Sequence, residues 1–287
     1  MNVLLSGSTG FVGSRLREHL VRAGHEVRGV SRGPGADHDW SQESLAAGVS
    51  WADAVIHLAG AGIFDRRWSA ARKEELVASR VTTTERLATL VAEHRTGRFL
   101  TASAVGYYGA SDASGLDEGS PVGSDFLAGL CQAWERAAQP ARDAGVSTAT
   151  VRIGVVLGRG SGALAKMLPP FRFGLGGPLG SGRQWMSWVH IDDLCRLFLF
   201  LLEQDGCEGA FNGTAPTPER MSSFAKTLGR VLRRPALLPV PGFVLRCALG
   251  EVAEVLLTGQ HVLPRRALEA GFVPRYPDLE AALRDLT

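Results

Sequence analysis

Three glycines near the start of the chain, Gly7, Gly10 and Gly13, have the spacing of a phosphate-binding turn. They follow the apolar run 3–5 and precede a helical pattern that begins near residue 12. A strand that turns through glycines into a helix directs the free N–H groups and the positive end of the helix dipole at an anion. We therefore expect the residues of this turn to bind a dinucleotide: Gly7, Ser8, Thr9, Gly10, Phe11, Val12 and Gly13.

The end of the second predicted strand favours one kind of dinucleotide. Ser31 and Arg32 stand where a domain that prefers NAD usually has an acidic residue for the ribose 2′-hydroxyl. A guanidinium can instead bind a 2′-phosphate through two hydrogen bonds and stack on adenine. These residues predict NADP(H) as the cofactor, and the alternative for Arg32 is a solvated surface side chain.

Hydroxyl-bearing residues follow the fourth predicted strand. Ser103, Tyr107 and Tyr108 would lie at the carboxyl edge of the sheet, where open α/β sheets bind ligands. A tyrosine there can act as a general acid if a neighbouring arginine lowers the pKa of its phenol. These three residues are the catalytic candidates. The alternative for the two tyrosines is packing in the wall of a pocket.

Strands and helices alternate along the chain as far as about residue 155. Strands are predicted at 2–6, 26–31, 54–58, 98–102 and 148–153, and helices at about 12–23, 68–95 and 124–144, with Gly24, Gly48 and Gly145 at helix ends. This order predicts an α/β fold with a Rossmann-type, doubly wound parallel sheet.

The texture of the sequence changes after residue 155. Helices are expected at about 162–173 and 219–232, a strand around 209–212, and mainly helix from 243 to 287. We interpret 1–155 as an NADP(H)-binding Rossmann domain. Residues 156–287 would form a small, mainly helical C-terminal substrate lobe, some segments of which return to the Rossmann core.

Composition argues against several classes of partner and site. The chain has 287 residues, of which 45% are hydrophobic and 21% charged, and its net charge of +2 favours neither a nucleic acid nor an anionic membrane as partner. The four cysteines, widely spaced, predict neither a disulfide framework nor a metal site: Cys131, Cys195, Cys207 and Cys247. With no signal-peptide pattern at the N-terminus, we expect a cytoplasmic protein.

Four segments together resemble the extended short-chain dehydrogenase/reductase superfamily: Gly7–Gly13, Asp53–Gly60, Ser103–Gly109 and Trp188–Leu194. Within it, the chain is similar to the "epimerase family" branch, described as nucleoside-diphosphate-sugar-epimerase-like. The marks of that branch are Arg67-Trp68, Ser79-Arg80, Gly106–Gly109, Gly182–Gln184 and Leu257–Gln260. The resemblance covers nearly the whole chain.

The resemblance implies further contacts. The cofactor would also touch Leu58, Ala59, Gly60, Ala61, Ser103, Arg152 and Gly154. The substrate pocket would include Trp68, Arg80, Arg183, Gln184, Trp188 and His190. Lys73 and Arg80 would share one face of a helix, and Arg80 would either bind an anionic substrate group or pair with an acid such as Glu74. His57, inside an apolar strand, is expected to be a core histidine.

The catalytic pair that the superfamily uses is absent. That pair is a tyrosine with a lysine four residues later, which lowers the pKa of the phenol. Neither Tyr107, Tyr108 nor Tyr276 has such a lysine, and the usual positions of the pair hold Leu127 and Cys131. The usual serine position falls on Ala104.

Three hypotheses follow for function. The first is an NADP(H)-dependent oxidoreductase or epimerase that acts on a small molecule with another proton donor. The second is an NADP(H)-binding sensor or regulatory module without catalysis, and the third is a scaffold that kept only the fold. The sequence identifies neither the substrate nor the oligomeric state, which would be a monomer or a homodimer.

Overall fold

The structure is a computed structural model that describes residues 1–33, 36–113 and 115–287. Its strands, in chain order, are β1 (Asn2–Ser6), β2 (Glu26–Val30), β3 (Ala54–His57), β4 (Arg98–Ala104), β5 (Ser147–Ile153), β6 (Val155–Leu157), β7 (Trp185–Met186), β8 (Trp188–His190), β9 (Gly209–Gly213) and β10 (Glu219–Arg220).

The helices cover both faces of the main sheet and build the C-terminal part. In chain order they are α1 (Phe11–Arg22), α2 (Gln42–Trp51), α3 (Ala70–Ala78), α4 (Val81–His94), α5 (Phe126–Arg136), α6 (Gln139–Asp143), α7 (Gly162–Arg172), α8 (Ile191–Glu203), α9 (Met221–Leu232), α10 (Gly242–Leu249), α11 (Ala253–Leu257), α12 (Arg265–Glu269) and α13 (Leu279–Leu286). Short 3-10 turns occupy Val105–Tyr108 and Gly250–Val252.

A six-stranded parallel sheet has the order β2-β1-β3-β4-β5-β9. Its central strands are apolar runs buried on both faces, as parallel strands between two helical layers require. One face packs on α1 and α8, through residues such as Leu16 and Phe198, and the other packs on α2, α4 and α6, through residues such as Leu45 and Leu87. The predicted Rossmann-type α/β fold is confirmed.

The chain after residue 155 contributes to both parts of the molecule. Strand β9 completes the main sheet beside β5, and α8 packs against α1. A separate hydrophobic cluster joins α7, α9 and α13. No helix in the described part of the chain is long and apolar enough to cross a membrane.

Two predicted helices are each divided in the structure. The predicted helix 68–95 is interrupted at Ser79 and Arg80, so Lys73 and Arg80 do not share a helical face. The predicted helix 124–144 is divided before α6, where Pro140 lies in the first turn of the new helix.

Helix α2 is missing from the sequence prediction, which placed Gly48 at a helix end. Gly48 is instead buried inside α2, and a Cβ there would lie 3.0 Å from Leu4 Cδ1, so glycine allows the helix to approach β1 closely. Ser41 caps the helix by accepting a hydrogen bond from the Ser44 N–H.

Candidate active site at the carboxyl edge of the sheet

The turn between β1 and α1 has the geometry of an anion cradle. Gly7 has φ +73°, and a Cβ on Gly13 would lie 2.0 Å from the Gly7 carbonyl oxygen, so neither position accepts a side chain without movement. Gly10 precedes α1, and in the described part of the chain no side chain caps that helix. The first N–H groups of α1 are therefore left for an external acceptor, as a bound pyrophosphate requires.

The side chains of this turn differ in what they can offer a ligand. Ser8 is buried and packs where a Cβ on Gly29 of β2 would lie, so it contributes through its backbone. Thr9 is exposed, and its Oγ1 lies 3.4 Å from Ser31 Oγ. The ring of Phe11 packs against Gly158, and Val12 packs at the edge of the hydrophobic core.

Arg32 lies just beyond the end of β2, the strand that pairs with β1 and so ends beside the glycine turn. It is exposed and, among the described residues, has no hydrogen-bond or ion-pair partner. The neighbouring Ser31 Oγ accepts a hydrogen bond from the Gly33 N–H. The guanidinium is therefore free to receive an anion beside the cradle.

The loop after β3 carries Leu58, Ala59, Gly60 and Ala61, and Arg80 supports it. Arg80 Nη2 donates to the Ala61 carbonyl at 2.9 Å, and its guanidinium carbon would lie 3.3 Å from a Cβ on Gly60. The Arg80 guanidinium carbon lies 5.2 Å from the centroid of the Trp134 ring, and burial lowers the pKa of Arg80. The predicted alternative of an ion pair with Glu74 is wrong, because no carboxylate in the described part of the chain pairs with Arg80.

His57, in the strand before this loop, is a fully buried core histidine as predicted. Its Nδ1 lies 2.5 Å from Ser6 Oγ, and its Nε2 lies 3.3 Å from Thr83 Oγ1. Burial lowers its pKa to about 3, and the charge of Arg80 adds to this effect. The ring is therefore neutral at physiological pH.

A buried polar network connects two of the catalytic candidates. Arg152 Nε and Nη2 donate to the two oxygens of Glu135 at 2.8 and 2.9 Å, and the Ser103 hydroxyl donates to the same carboxylate at 2.8 Å. Arg152 Nη1 also donates to the Tyr108 hydroxyl at 3.0 Å, which in turn donates to Asn212 Oδ1 at 2.7 Å. The hydroxyl groups of Ser103 and Tyr108 therefore both donate hydrogen bonds to other side chains of the protein.

The expectation that an arginine lowers the pKa of the active tyrosine is wrong for Tyr108. Arg152 is beside it and acts in that direction, but burial outweighs the arginine and raises the pKa of Tyr108 to about 12. Tyr107 differs, because its ring is half-buried under Arg152, whose guanidinium carbon is 3.4 Å from the ring centroid. Among the described residues, the Tyr107 hydroxyl has no hydrogen-bond partner.

Leu127 and Cys131 line the place where the catalytic tyrosine and lysine are expected. A Cβ on Gly106 would lie 3.3 Å from Leu127 Cβ and 3.7 Å from Cys131 Sγ. Burial raises the pKa of the Cys131 thiol to about 12, with Glu135 adding to the effect. The thiol is neutral, and neither residue can replace the usual pair in proton transfer.

Two predicted pocket residues are buried. Trp188 is in the core beside α9 and donates its indole N–H to the Thr217 carbonyl, so it does not line an open pocket. His190 caps α8 by accepting from the Asp192 N–H, and its ring stacks on Tyr276 at 3.9 Å. Burial lowers its pKa. The family resemblance implied that both residues line the pocket, whereas here Trp188 is packed in the core and His190 caps a helix.

His190 borders a cleft of about 300 Å³ between α1, α8 and α13. Of the six predicted substrate residues, only His190 is in its lining, and the rest of the wall is formed mainly by Phe11, Ser14, Arg15, Glu18, Arg159, Ile191, Asp192, Asp285 and Leu286. This cleft is therefore not the pocket that the sequence predicted.

The other predicted substrate residues lie in separate contacts. Gln184 Nε2 donates to the carbonyls of Leu179 and Leu256, and Trp68 donates to the Ile63 carbonyl. Arg183 is exposed.

Gly154, a predicted cofactor residue, follows the end of β5. A Cβ there would lie 2.3 Å from the Ser187 carbonyl oxygen, so glycine allows the backbone at Ser187 to approach closely.

The structure also shows a cluster that the sequence did not indicate. In it, Trp185 contacts Arg220 and His261, which are far from it in sequence. Trp185 packs edge-on against His261 at 4.3 Å between centroids, and the Arg220 guanidinium carbon lies 3.8 Å from the Trp185 ring centroid. Burial lowers the pKa of His261. A Cβ on Gly259 would lie 1.9 Å from the Trp185 carbonyl oxygen, which explains glycine in the tail motif.

Comparison with known families agrees with this geometry. The profile of the NAD dependent epimerase/dehydratase family matches residues 3–212, which include the sheet and the glycine turn. The chain belongs to this family. Residues 240–286 match a second family, described as a domain of unknown function, DUF1731.

Similar members of the epimerase/dehydratase family extend over the whole chain. The mouse "epimerase family protein SDR39U1" is 44% identical over 294 residues, which cover 100% of this chain and 99% of the mouse protein. The homologue of SDR39U1 from Arabidopsis thaliana, described as chloroplastic, is 43% identical. The match covers 99% of this chain and 86% of the Arabidopsis protein.

A crystal structure of human SDR39U1 with NADPH superposes with a TM-score of 0.94. It is 40% identical to this chain and covers 100% of it, with 99% of the human chain matched. A family member with this architecture thus binds NADPH, the reduced form of the cofactor that the sequence predicted from Ser31 and Arg32.

Proposed function

We propose that this epimerase-family chain binds NADP(H) and acts as an oxidoreductase or epimerase on a small molecule. The observation that carries the proposal is the turn from Gly7 to Gly13, where side chains are excluded and no described side chain caps the helix. Arg32 lies next to it and has no partner among the described residues. The NADPH in the crystal structure of human SDR39U1 supports the same cofactor here.

The residues present fit this cofactor in three places. The cradle would take the pyrophosphate, Arg32 would take the 2′-phosphate, and the small residues after β3 leave room for a ribose. Arg80 holds that loop through the Ala61 carbonyl and would keep its position fixed during binding.

When bound, the nicotinamide supplies or accepts a hydride. Hydride transfer at a carbonyl or alcohol carbon also needs a group that gives or takes a proton at oxygen. We propose Tyr107 for that role, because the hydroxyls of Ser103 and Tyr108 are engaged in the network, whereas that of Tyr107 has no hydrogen-bond partner among the described residues. Arg152 fixes its ring by stacking on it.

A second function, an NADP(H)-binding sensor without turnover, is favoured by one observation. Leu127 and Cys131 fill the place of the usual proton-transfer pair, and the thiol of Cys131 has a raised pKa. Such a protein would keep the cofactor site and need no proton donor.

Fluorescence titration with NADPH and NADH tests the cofactor assignment. Arg32→Glu should weaken NADPH binding by about tenfold to a hundredfold, since a charge-assisted hydrogen bond contributes about 1.5–3 kcal/mol. NADH binding should be kept or strengthened, because the new carboxylate can accept a hydrogen bond from the ribose 2′-hydroxyl. Arg136→Glu, at an exposed arginine on α5, is the matched control. Equal NADPH affinity in Arg32→Glu and the wild type would refute the assignment.

Turnover separates the two functions. Incubation with nucleotide sugars, ketones and aldehydes, followed by the near-ultraviolet absorbance of NADPH and by chromatography of the sugars, should detect reduction or epimerisation. Tyr107→Phe should abolish that activity and keep NADPH affinity. Tight NADPH binding with no turnover of any compound would favour the sensor.

We also propose a cytoplasmic location, with no nucleic acid as partner and a monomer or homodimer as the assembly. The small net charge supports the absence of a nucleic-acid partner. Size-exclusion chromatography with light scattering would determine the assembly.

A further inference from the structure

The C-terminal part of the chain has a surface that is both apolar and basic. We define the docking face as two paired segments, 172–180 and 233–240, together with helix α10. Backbone hydrogen bonds join the segments, from Leu238 N to Gly176 O at 3.1 Å and from Val240 N to Pro178 O at 2.9 Å. The two segments therefore lie side by side, and helix α10 follows the second of them directly.

Large apolar side chains project from this face into solvent. Phe173 is 81% exposed, Leu237 79% and Phe243 68%. Three further exposed apolar residues belong to the face: Leu175, Leu238 and Val244. Together, these six are half of the large hydrophobic residues that are exposed in the described part of the chain. Helix α10 is itself unusual, because it is rich in apolar residues and yet has no buried residue. Large exposed apolar side chains gathered in neighbouring segments are typical of an interaction site.

The charged residues of the face itself are all basic, and Glu254 of α11, which follows the face in the chain, pairs with Arg246 of α10. Residues 144–191 and 220–250 contain no Asp or Glu, although the whole chain has 29 acidic residues. Arg172, Arg233 and Arg234 are exposed beside the apolar side chains and make no ion pair with any described residue. The net charge of +2, from which we expected no membrane partner, averages this basic region with acidic segments elsewhere in the chain.

These observations select among possible occupants. A second copy of the chain would bring like charges together across the same face, which costs free energy. An anionic bilayer offers both complements, because its headgroups attract arginine and its acyl boundary takes exposed phenylalanine and leucine side chains.

We propose that this face docks the protein on an anionic lipid bilayer. The apolar side chains enter the interfacial layer and the arginines lie at the headgroups. Helix α10 is tied to the loop after β3, because Arg67 Nε donates to the Ala248 carbonyl at 3.0 Å. Docking through α10 would thus occur on an element connected to the loop that we assign to the cofactor site.

Co-sedimentation of the full chain with vesicles tests the proposal. The chain should sediment with vesicles of equal parts phosphatidylcholine and phosphatidylserine, should sediment much less with phosphatidylcholine alone, and should be released by high salt. Phe173→Ser with Leu237→Ser should reduce partitioning by about tenfold or more, because each side chain loses its apolar burial. Arg172→Glu with Arg233→Asn should also reduce it; Asn tolerates the left-handed φ of 55° at position 233.

Val273→Ser with Val21→Ser changes exposed valines outside the face and should leave partitioning unchanged. All variants should keep the NADPH affinity of the wild type, which separates this proposal from the cofactor assignment and shows that they fold. Absence of sedimentation with either vesicle, or equal sedimentation with both, would overturn it. So would a dimer in solution that Phe173→Ser with Leu237→Ser converts to monomer, since a second copy would then be the occupant.

Discussion

Replacing Glu135 by glutamine should destabilise the fold, because it breaks the buried ion pair behind the site. Glu135 receives two hydrogen bonds from Arg152 and one from Ser103, and the two charged side chains are only 14% and 5% exposed. Removing one partner of a buried pair leaves the other charge uncompensated, at a cost of about 3–5 kcal/mol. Because Glu135 keeps slight contact with solvent, we expect the free energy of unfolding at pH 7 to fall by about 3 kcal/mol.

Urea denaturation followed by tryptophan fluorescence measures this loss, with Glu254→Gln as the matched control. Glu254 pairs with Arg246 at 2.7 Å, but those side chains are 51% and 57% exposed, so the control should lose less than about 1 kcal/mol. The double variant Glu135→Leu with Arg152→Met should recover much of the stability, because it removes both charges together. A loss in Glu135→Gln no larger than that of the control would refute the reasoning.

Three further perturbations address the cradle, the buried histidine and the thiols. Gly13→Ala should lower NADPH affinity by more than about tenfold and destabilise the fold by about 1–3 kcal/mol, because its Cβ would lie 2.0 Å from Gly7 O; Gly129→Ala, on α5 with open space around it, should be neutral or stabilising in urea unfolding. His57 has a folded pKa of about 3 against 6.5 in the unfolded chain, so its contribution is complete above 6.5 and is lost as the pH falls towards 3. His57→Gln should therefore flatten the pH dependence of unfolding free energy between about pH 6 and 4 by up to about 1.4 kcal/mol per pH unit, and an unchanged slope would contradict burial of a neutral ring. In the folded chain, Cys247 alone should react rapidly with a thiol reagent, because Cys131, Cys195 and Cys207 are buried; a fast-reacting thiol that persists in Cys247→Ser would contradict this.

The parts of the fold that sequence predicted well are those set by local pattern. The glycine turn and the alternation of apolar strands with helices depend on residues close together in the chain, so they are visible in one sequence. The division of the predicted helix 68–95 was not visible, because Arg80 turns away to reach the Ala61 carbonyl, a contact 19 residues earlier in the chain.

The site was harder to predict because its decisive contacts join distant residues. Glu135, Arg152 and Asn212 come from three elements, and nothing in their spacing indicates that they share a network with Tyr108. Tyr107 and Tyr108 are neighbours in one short 3-10 turn, yet only Tyr108 is turned into the protein. Which of two adjacent tyrosines is buried with its hydroxyl bonded depends on tertiary packing.

The position of β9 at the edge of the main sheet has a consequence for how the chain folds during synthesis. Val151 of β5 pairs with Phe211 of β9, about 60 residues later, so the edge of β5 stays unpaired until that segment has been made. Helix α8, which covers one face of the sheet, also comes from this late segment. A nascent chain that ends before it exposes an apolar sheet face and an open strand edge, both of which promote aggregation and chaperone binding.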